Sequence, residues 1–327
     1  MNRVHKGGKR VFLQLLLAGQ SRIMVGGQAV MEGVMMRVPG AYAVAVRDPE
    51  GVIQFKRDSY SSRIDRSRLL KLPIIRGVIN LFESMKLGLD TLNWSAEIAY
   101  PEEAESGGSS IWATVLAFTL AIGLFFVAPL LITTKLLNVE QDAVAFNLIS
   151  GGFRIVFFLV YLLLISLMDD VKRLFQYHGA EHKAIYTFEA GDPLTVDSSK
   201  KYSTHHPRCG TSFLFIVLIA AILTFALIDT IAISIVGQIS LGLRLLIHLP
   251  LIPFVAGVGY EVLKLVARHQ NLALFRWLAQ PGLWLQRITT STPDDDQMDV
   301  AFESLKQAFG DELEEYTGRE YVADAIG

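Results

Sequence analysis

The chain has 327 residues, of which 51% are hydrophobic and only 19% charged, and its formal net charge is −2. That balance is too apolar for an ordinary water-soluble domain, and it provides no global positive field for nucleic acid. The single cysteine, Cys209, excludes an intramolecular disulfide framework and leaves a buried hydrophobe, a ligand or a reactive thiol.

In residues 1–21, Lys6, Lys9 and Arg10 precede the apolar run Val11–Ala18. The run is short for a signal peptide and no A-x-A site follows, so a short membrane-hugging helix is expected. Residues 22–100 read as a cytoplasmic β-hairpin region followed by an amphipathic helix. Tyr42–Val46 and Val52–Phe55 flank the turn formers Asp48–Pro49–Glu50–Gly51. Glu32 stands among Val30, Met31, Val34, Met35 and Met36, where a carboxylate needs a partner; Arg37 is one candidate. Between Pro73 and Glu97, Ile75, Ile79, Phe82, Met85 and Leu89 recur at helical steps, which predicts a helix on a membrane surface or on the β-region. Residues 101–110 form an acidic, Gly/Ser-rich linker.

Two apolar runs, Ile111–Thr134 and Ile149–Met168, are long enough to cross a bilayer and make a first transmembrane pair over 111–168. A second pair is expected over 212–267, turning near Gly237–Gly242, with Pro250 and Pro253 kinking or breaking its last helix. Arg244 and His248 fall inside this block; Arg244 is close enough to the turn to snorkel to the interface. Residues 268–327 begin with Trp277, Trp284, Arg276 and Arg287 in an interfacial element broken at Pro281–Gly282. They end in a helix opened by Asp294, Asp295 and Asp296. Lys and Arg number fifteen before the first span, six in 169–211, and one in 135–148. The positive-inside rule therefore places both termini and the 169–211 segment in the cytoplasm. The expected fold class is an α-helical integral membrane protein with about four transmembrane helices, a small N-terminal β-containing region and amphipathic interfacial helices.

Residues 169–211 carry four of the seven histidines and the cysteine. His178–Gly179–Ala180–Glu181–His182 fits H-x-x-E-H, the inverted zinc-protease motif. On a helix, residues four apart share a face, so both imidazoles can reach one zinc ion while Glu181 takes a proton from an activated water. His205, His206 and Cys209 lie just before the next span and are candidates for a third ligand, as is Glu261 by analogy with the distant Glu of inverted zincins. Arg208 would steady developing oxyanion charge. The bland alternative is a juxtamembrane helix whose His and Glu pair with Lys172, Arg173 or Lys183.

GGQAVMEGVMMR, YHGAEHKAIYTFE, HPRCGTSF, PGLWLQ and PDDDQ, met in this order between residues 22 and 310, resemble the YqhQ-like family of bacterial membrane proteins, which is defined by a domain of unknown function. The resemblance implies a multi-pass inner-membrane protein and carries no activity. Within HPRCGTSF it favours His206 over His205.

Two functions are open. One is a zinc-dependent hydrolase acting on a peptide or lipid at the cytoplasmic face. The other is a non-enzymatic biogenesis factor, complex subunit or transporter auxiliary with a structural polar or metal cluster. Expected partners are the lipid bilayer and other membrane proteins or a second copy of the chain, with no nucleic acid.

Overall fold

The computed structural model describes residues 22–102, 111–137, 139–207, 209–268 and 272–323. The N-terminal helix expected before residue 22 lies outside them, as does most of the 101–110 linker.

Strands Gly26–Val30 (β2), Gly33–Val38 (β3), Ala41–Arg47 (β4) and Ile53–Ser59 (β5) form an antiparallel meander in sequence order. A two-residue strand, Arg22–Ile23 (β1), pairs in parallel with Val322–Ala323 (β6), bringing the two ends of the described chain together. The central strands are apolar on both faces because the sheet is covered on both. Val34, Met36, Ala43 and Ala45 meet Phe302, Leu305 and Phe309 of the C-terminal helix Asp295–Phe309 and Tyr177, Ala184 and Phe188 of helix Asp169–Glu189. On the other face Val30, Met35, Val44 and Val46 meet Ala99, Leu92 and Ile98 of helix α1, Ile75–Ala99.

The expected amphipathic helix is present, but its apolar stripe does not cover the sheet. Phe82, Met85 and Leu89 are exposed, whereas Gly77, Thr91, Ser95 and Ala99 are buried. Glu32 is paired, though not with Arg37. It sits at the β2–β3 tip with a left-handed backbone, and Arg173 grips both its oxygens while Tyr177 donates to it at 3.2 Å. Arg37 pairs with Gly26 at the far end of that hairpin, about 16 Å of strand away, and lies over the Tyr60 ring.

Four helical stretches are long and apolar enough to cross a membrane: Val115–Leu137, Ala143–Ile165, Leu214–Val236 and Leu241–Val266. The first joins α2 (Ile111–Ile122) to α3 (Ala128–Leu137) through a π-turn at Gly123–Val127. The second, α4, starts at Ala143 and not near Ile149, because Asp142 caps it by accepting from Val144 and Ala145 N–H. After α5 (Asp169–Glu189) and the single turn α6 (Val196–Ser199) come α7 (Gly210–Val236) and α8 (Leu241–Arg268). Helix α8 runs unbroken through Pro250 and Pro253, and α9 (Ala273–Thr289) runs through Pro281. Each proline removes one N–H, a loss that long, packed helices tolerate. The C-terminal helix Asp295–Phe309, α10, opens with the capping box of Asp294 and Gln297.

Arg244, one turn into α8, is enclosed by protein, and its Nη2 donates to the Glu140 carbonyl in the connection between α3 and α4. It is fully buried, donates from Nε to Asp229 at 2.9 Å, and lies 3.5 Å over the Phe146 ring. His248 and Asn147 meet the same carboxylate at 2.9 and 2.7 Å.

Candidate metal centre

Helix α5 carries the H-x-x-E-H motif, and its spacing stacks the two imidazoles on one face with ring centroids 4.5 Å apart. Each ring is oriented by a backbone carbonyl. His178 Nδ1 meets Thr289 O at 2.8 Å, and His182 Nδ1 meets Thr204 O at 2.5 Å. A carbonyl only accepts, so both Nδ1 atoms carry the hydrogen and both Nε2 atoms present a lone pair. Those lone pairs and the Cys209 sulfur all lie within 4.8 Å of one another. Cys209 Sγ is 3.1 Å from His178 Nε2, while His182 Nε2 is buried with no hydrogen-bond partner.

The glycine in HGAEH is what lets the orienting strand approach. A Cβ on Gly179 would lie 2.0 Å from the carbonyl oxygen of Ser291, and Ser291 N–H in turn donates to Phe175 O at 2.9 Å. The chain leaving α9 thus crosses α5 at Gly179 and lays the Thr289 carbonyl on His178. Gly27 of β2 does the same for the acid: a Cβ there would lie 3.0 Å from Glu181 Cγ. Glu181 is buried, with Oε2 3.7 Å from His182 Nε2 and 4.0 Å from His178 Nε2.

His206 stands one position out. Its ring centroid is 5.5 Å from that of His182, its edge meets Tyr186, and its Nε2 is 3.7 Å from Glu189. Gln286 of α9 holds its backbone from both sides, accepting from His206 N at 2.7 Å and donating to His206 O at 2.8 Å. Burial lowers the His206 pKa to about 4, against the pull of Glu181. Burial also holds His182 below the ordinary histidine range, opposed by the neighbouring Cys209 thiol. Both imidazoles are therefore neutral at pH 7, as ligands must be.

Glu261 does not join the cluster. On α8 its carboxylate is gripped by Arg76 of α1, with Nε at 2.7 Å from Oε1 and Nη2 on Oε2. Arg208 lies outside the described residues. The cations of the bland alternative are engaged elsewhere: Lys172 with Asp169, Arg173 with Glu32, and Lys183 with the Ser199 carbonyl. Sequence reading missed Thr204, Thr289 and Gln286. The first two act through backbone, which leaves no side-chain signal, whereas Gln286 is the last letter of PGLWLQ.

The donor set fits a zinc ion: two imidazole lone pairs and a sulfur, with orienting carbonyls behind the imidazoles. Bonds of about 2.0–2.3 Å in a tetrahedron would separate ligand atoms by roughly 3.3–3.8 Å, so the His178–Cys209 pair at 3.1 Å is already near that spacing, and any pair close to the 4.8 Å limit would have to draw in by about an ångström.

Fold and cluster together define a mostly helical protein in which a small sheet and two helices hold a His/Cys/Glu cluster beside four membrane-length helices. The chain belongs to the family described as "Protein of unknown function (DUF1385)", whose sequence model matches residues 72–311. It is 32% identical over 300 residues to "Uncharacterized protein YqhQ" of Bacillus subtilis (strain 168), covering 86% of this chain and 91% of that protein. No solved structure matches it.

Proposed function

We propose that this is a multi-pass protein of the bacterial inner membrane, with both termini cytoplasmic, that carries a zinc-dependent hydrolytic site on its cytoplasmic side. The observation that carries the reading is the convergence of His178 Nε2, His182 Nε2 and Cys209 Sγ within 4.8 Å beside a buried carboxylate. The topology is supported by the packing of the sheet, α5 and α10 into one core: segments before, between and after the apolar pairs share a side only if the spans are even in number. A zinc ion held by His178, His182 and Cys209 would supply Lewis acidity and bring the pKa of water to about 7. Glu181 Oε2 is then the proton acceptor, close to both imidazoles and shielded from bulk water. The carbonyls of Thr204 and Thr289 keep the Nε2 atoms aimed inward throughout. The substrate class is a peptide bond of a membrane protein or a lipid headgroup ester.

The second reading keeps the cluster as structural and makes the protein a biogenesis factor, complex subunit or transporter auxiliary. It is favoured by the exposed apolar faces of α1 (Phe82, Met85, Leu89) and α9 (Trp277, Trp284), which offer lipid or partner surfaces. Elemental analysis of the purified chain decides first. Wild type should hold close to one zinc per chain, and His178→Ala, His182→Ala and Cys209→Ser should each lose most of it. Sub-stoichiometric metal indifferent to these changes would remove both the site and the hydrolase. Glu181→Gln then separates the readings: a hydrolase keeps its zinc and loses its cellular role, whereas a structural site keeps both.

A further inference from the structure

Among the described residues, the apolar helices bury two arginines and one aspartate: Arg154 on α4, Arg244 on α8 and Asp229 on α7. Asp229 is committed. It accepts from Arg244 Nε, His248 Nε2 and Asn147 Nδ2. That leaves Arg154 as the excess charge. It is 3% exposed, its Nε and Nη2 are buried without hydrogen-bond partners, and it makes no ion pair with any described residue. Its guanidinium lies near two aromatic rings, 5.0 Å from the Phe126 centroid and 5.7 Å from that of Phe225, and Asp229 acts on it from beyond ion-pair distance. A buried guanidinium with no anion at hydrogen-bonding distance is costly, and an anion of its own is the group that relieves it.

The space in front of it has a definite shape. A cavity of about 240 Å³ is walled by Phe158, Leu214, Ala221, Phe225 and Ala256, with Arg154 as its one charged wall residue. Leu214 to Phe225 spans roughly 16 Å of helix α7, so the volume is a slot and not a chamber. It is smaller than the roughly 300–1,000 Å³ sites that take drug-sized ligands. Gly151 of α4 lies level with Ile222 of α7, and an arginine on a helix leans toward its N-terminal side. The guanidinium accordingly serves the Phe126/Phe225 end, and the Leu214 end is purely apolar.

We propose that this slot binds a single-chain fatty acid, with its carboxylate paired to the Arg154 guanidinium and the hydrocarbon tail running along α7 toward Leu214. One charge at one end of a narrow apolar slot matches one carboxylate on one chain. A two-chain phospholipid would have to leave its second chain outside. The inference rests on Arg154 and its cavity alone, and stands or falls independently of the zinc cluster.

The test uses the full chain, purified in a neutral detergent and stripped of lipid, with radiolabelled palmitate as probe. Palmitate should bind saturably at about one per chain. Arg154→Gln should weaken it about tenfold or more, the loss expected when a charge-assisted pair goes. Hexadecanol, with the same tail and no charge, should compete about tenfold less well. Ala256→Leu leaves Arg154 in place, narrows the slot and should weaken palmitate too; it carries the decision if Arg154→Gln does not accumulate. Palmitate binding indifferent to both substitutions overturns the proposal, as does hexadecanol competing equally. If phosphatidylglycerol displaces palmitate at equal concentration, the occupant is a phospholipid headgroup and the single-chain assignment fails.

Discussion

Two buried polar clusters each combine histidine with a carboxylate, and they have opposite polarity. In the α5 cluster, His178 and His182 spend their N–H groups on the carbonyls of Thr289 and Thr204, and their lone pairs converge. In the α7/α8 cluster the converging groups are N–H donors, from Arg244, His248 and Asn147, and they meet one carboxylate. The first arrangement invites a cation; the second is already closed around an anion. What distinguishes a candidate site from a structural knot is therefore what the outer atoms of each side chain hold. Backbone carbonyls behind the imidazoles turn them into acceptors, while a carboxylate in front of an arginine consumes it.

If the α7/α8 cluster is a closed structural knot, removing its centre should have the largest effect of any single change. Asp229→Leu would leave Arg244 buried and uncompensated, at a cost of about 3–5 kcal/mol. Replacing both partners together should recover most of that, because a buried pair and a hydrophobic pair of similar size are nearly equivalent in stability. Thermal unfolding in detergent of Asp229→Leu, Arg244→Met and the double variant reads this directly. Additive losses in the double variant would mean that the two residues do not act as a pair.

Acid should act next on the α5 side, where burial keeps His182 and His206 neutral. The His206 pKa is about 4 in the fold and about 6.5 in the unfolded chain. Above pH 6.5 neither state is protonated and the fold bears no penalty. As pH falls from 6.5 to 4, the unfolded chain takes up the proton first and stability drops, by an amount on the order of 3 kcal/mol. His182 shifts in the same direction. Unfolding measured at pH 7, 5.5 and 4.5 should show the loss in wild type and a smaller one in His206→Gln. An identical pH slope in the two would remove His206 as its source.

The parts of this architecture that were legible in the sequence are those written in local pattern. Four charge-poor runs, the β4–β5 turn at Asp48–Gly51 and the capping acids at Asp294 were legible, although the second run starts six residues earlier than expected, at Ala143. The H-x-x-E-H spacing and Cys209 marked residues that the fold brings together. What escaped depended on partners distant in sequence. The partner of Arg244 had no local sign, because Asp229 stands alone in the apolar run of the preceding helix. Glu32 seemed to need a neighbour such as Arg37, and the chain instead supplies Arg173 from α5. Pro250 and Pro253 read as kinking or breaking the helix, and it is not broken, because local propensity takes no account of packing around it.

The smallest expected effect sharpens the boundary of the α5 cluster. Glu261 has the acid chemistry and the downstream position of a third zinc ligand, but its two oxygens are held by Arg76, and one of them also accepts from Ile74 N–H. The pair is partly exposed, with side chains 26% and 23% accessible, so solvent screens it. Its role is to dock the first turn of α1 on α8. Glu261→Gln keeps an acceptor for Ile74 and loses the charge, so it should cost about 1 kcal/mol or less. Zinc content should stay at the wild-type level in this variant, and Arg76→Met should behave alike in both measurements. Loss of zinc on Glu261→Gln with an unchanged melting temperature would make Glu261 a ligand after all, and would require α8 to move its carboxylate from Arg76 to the imidazoles of α5.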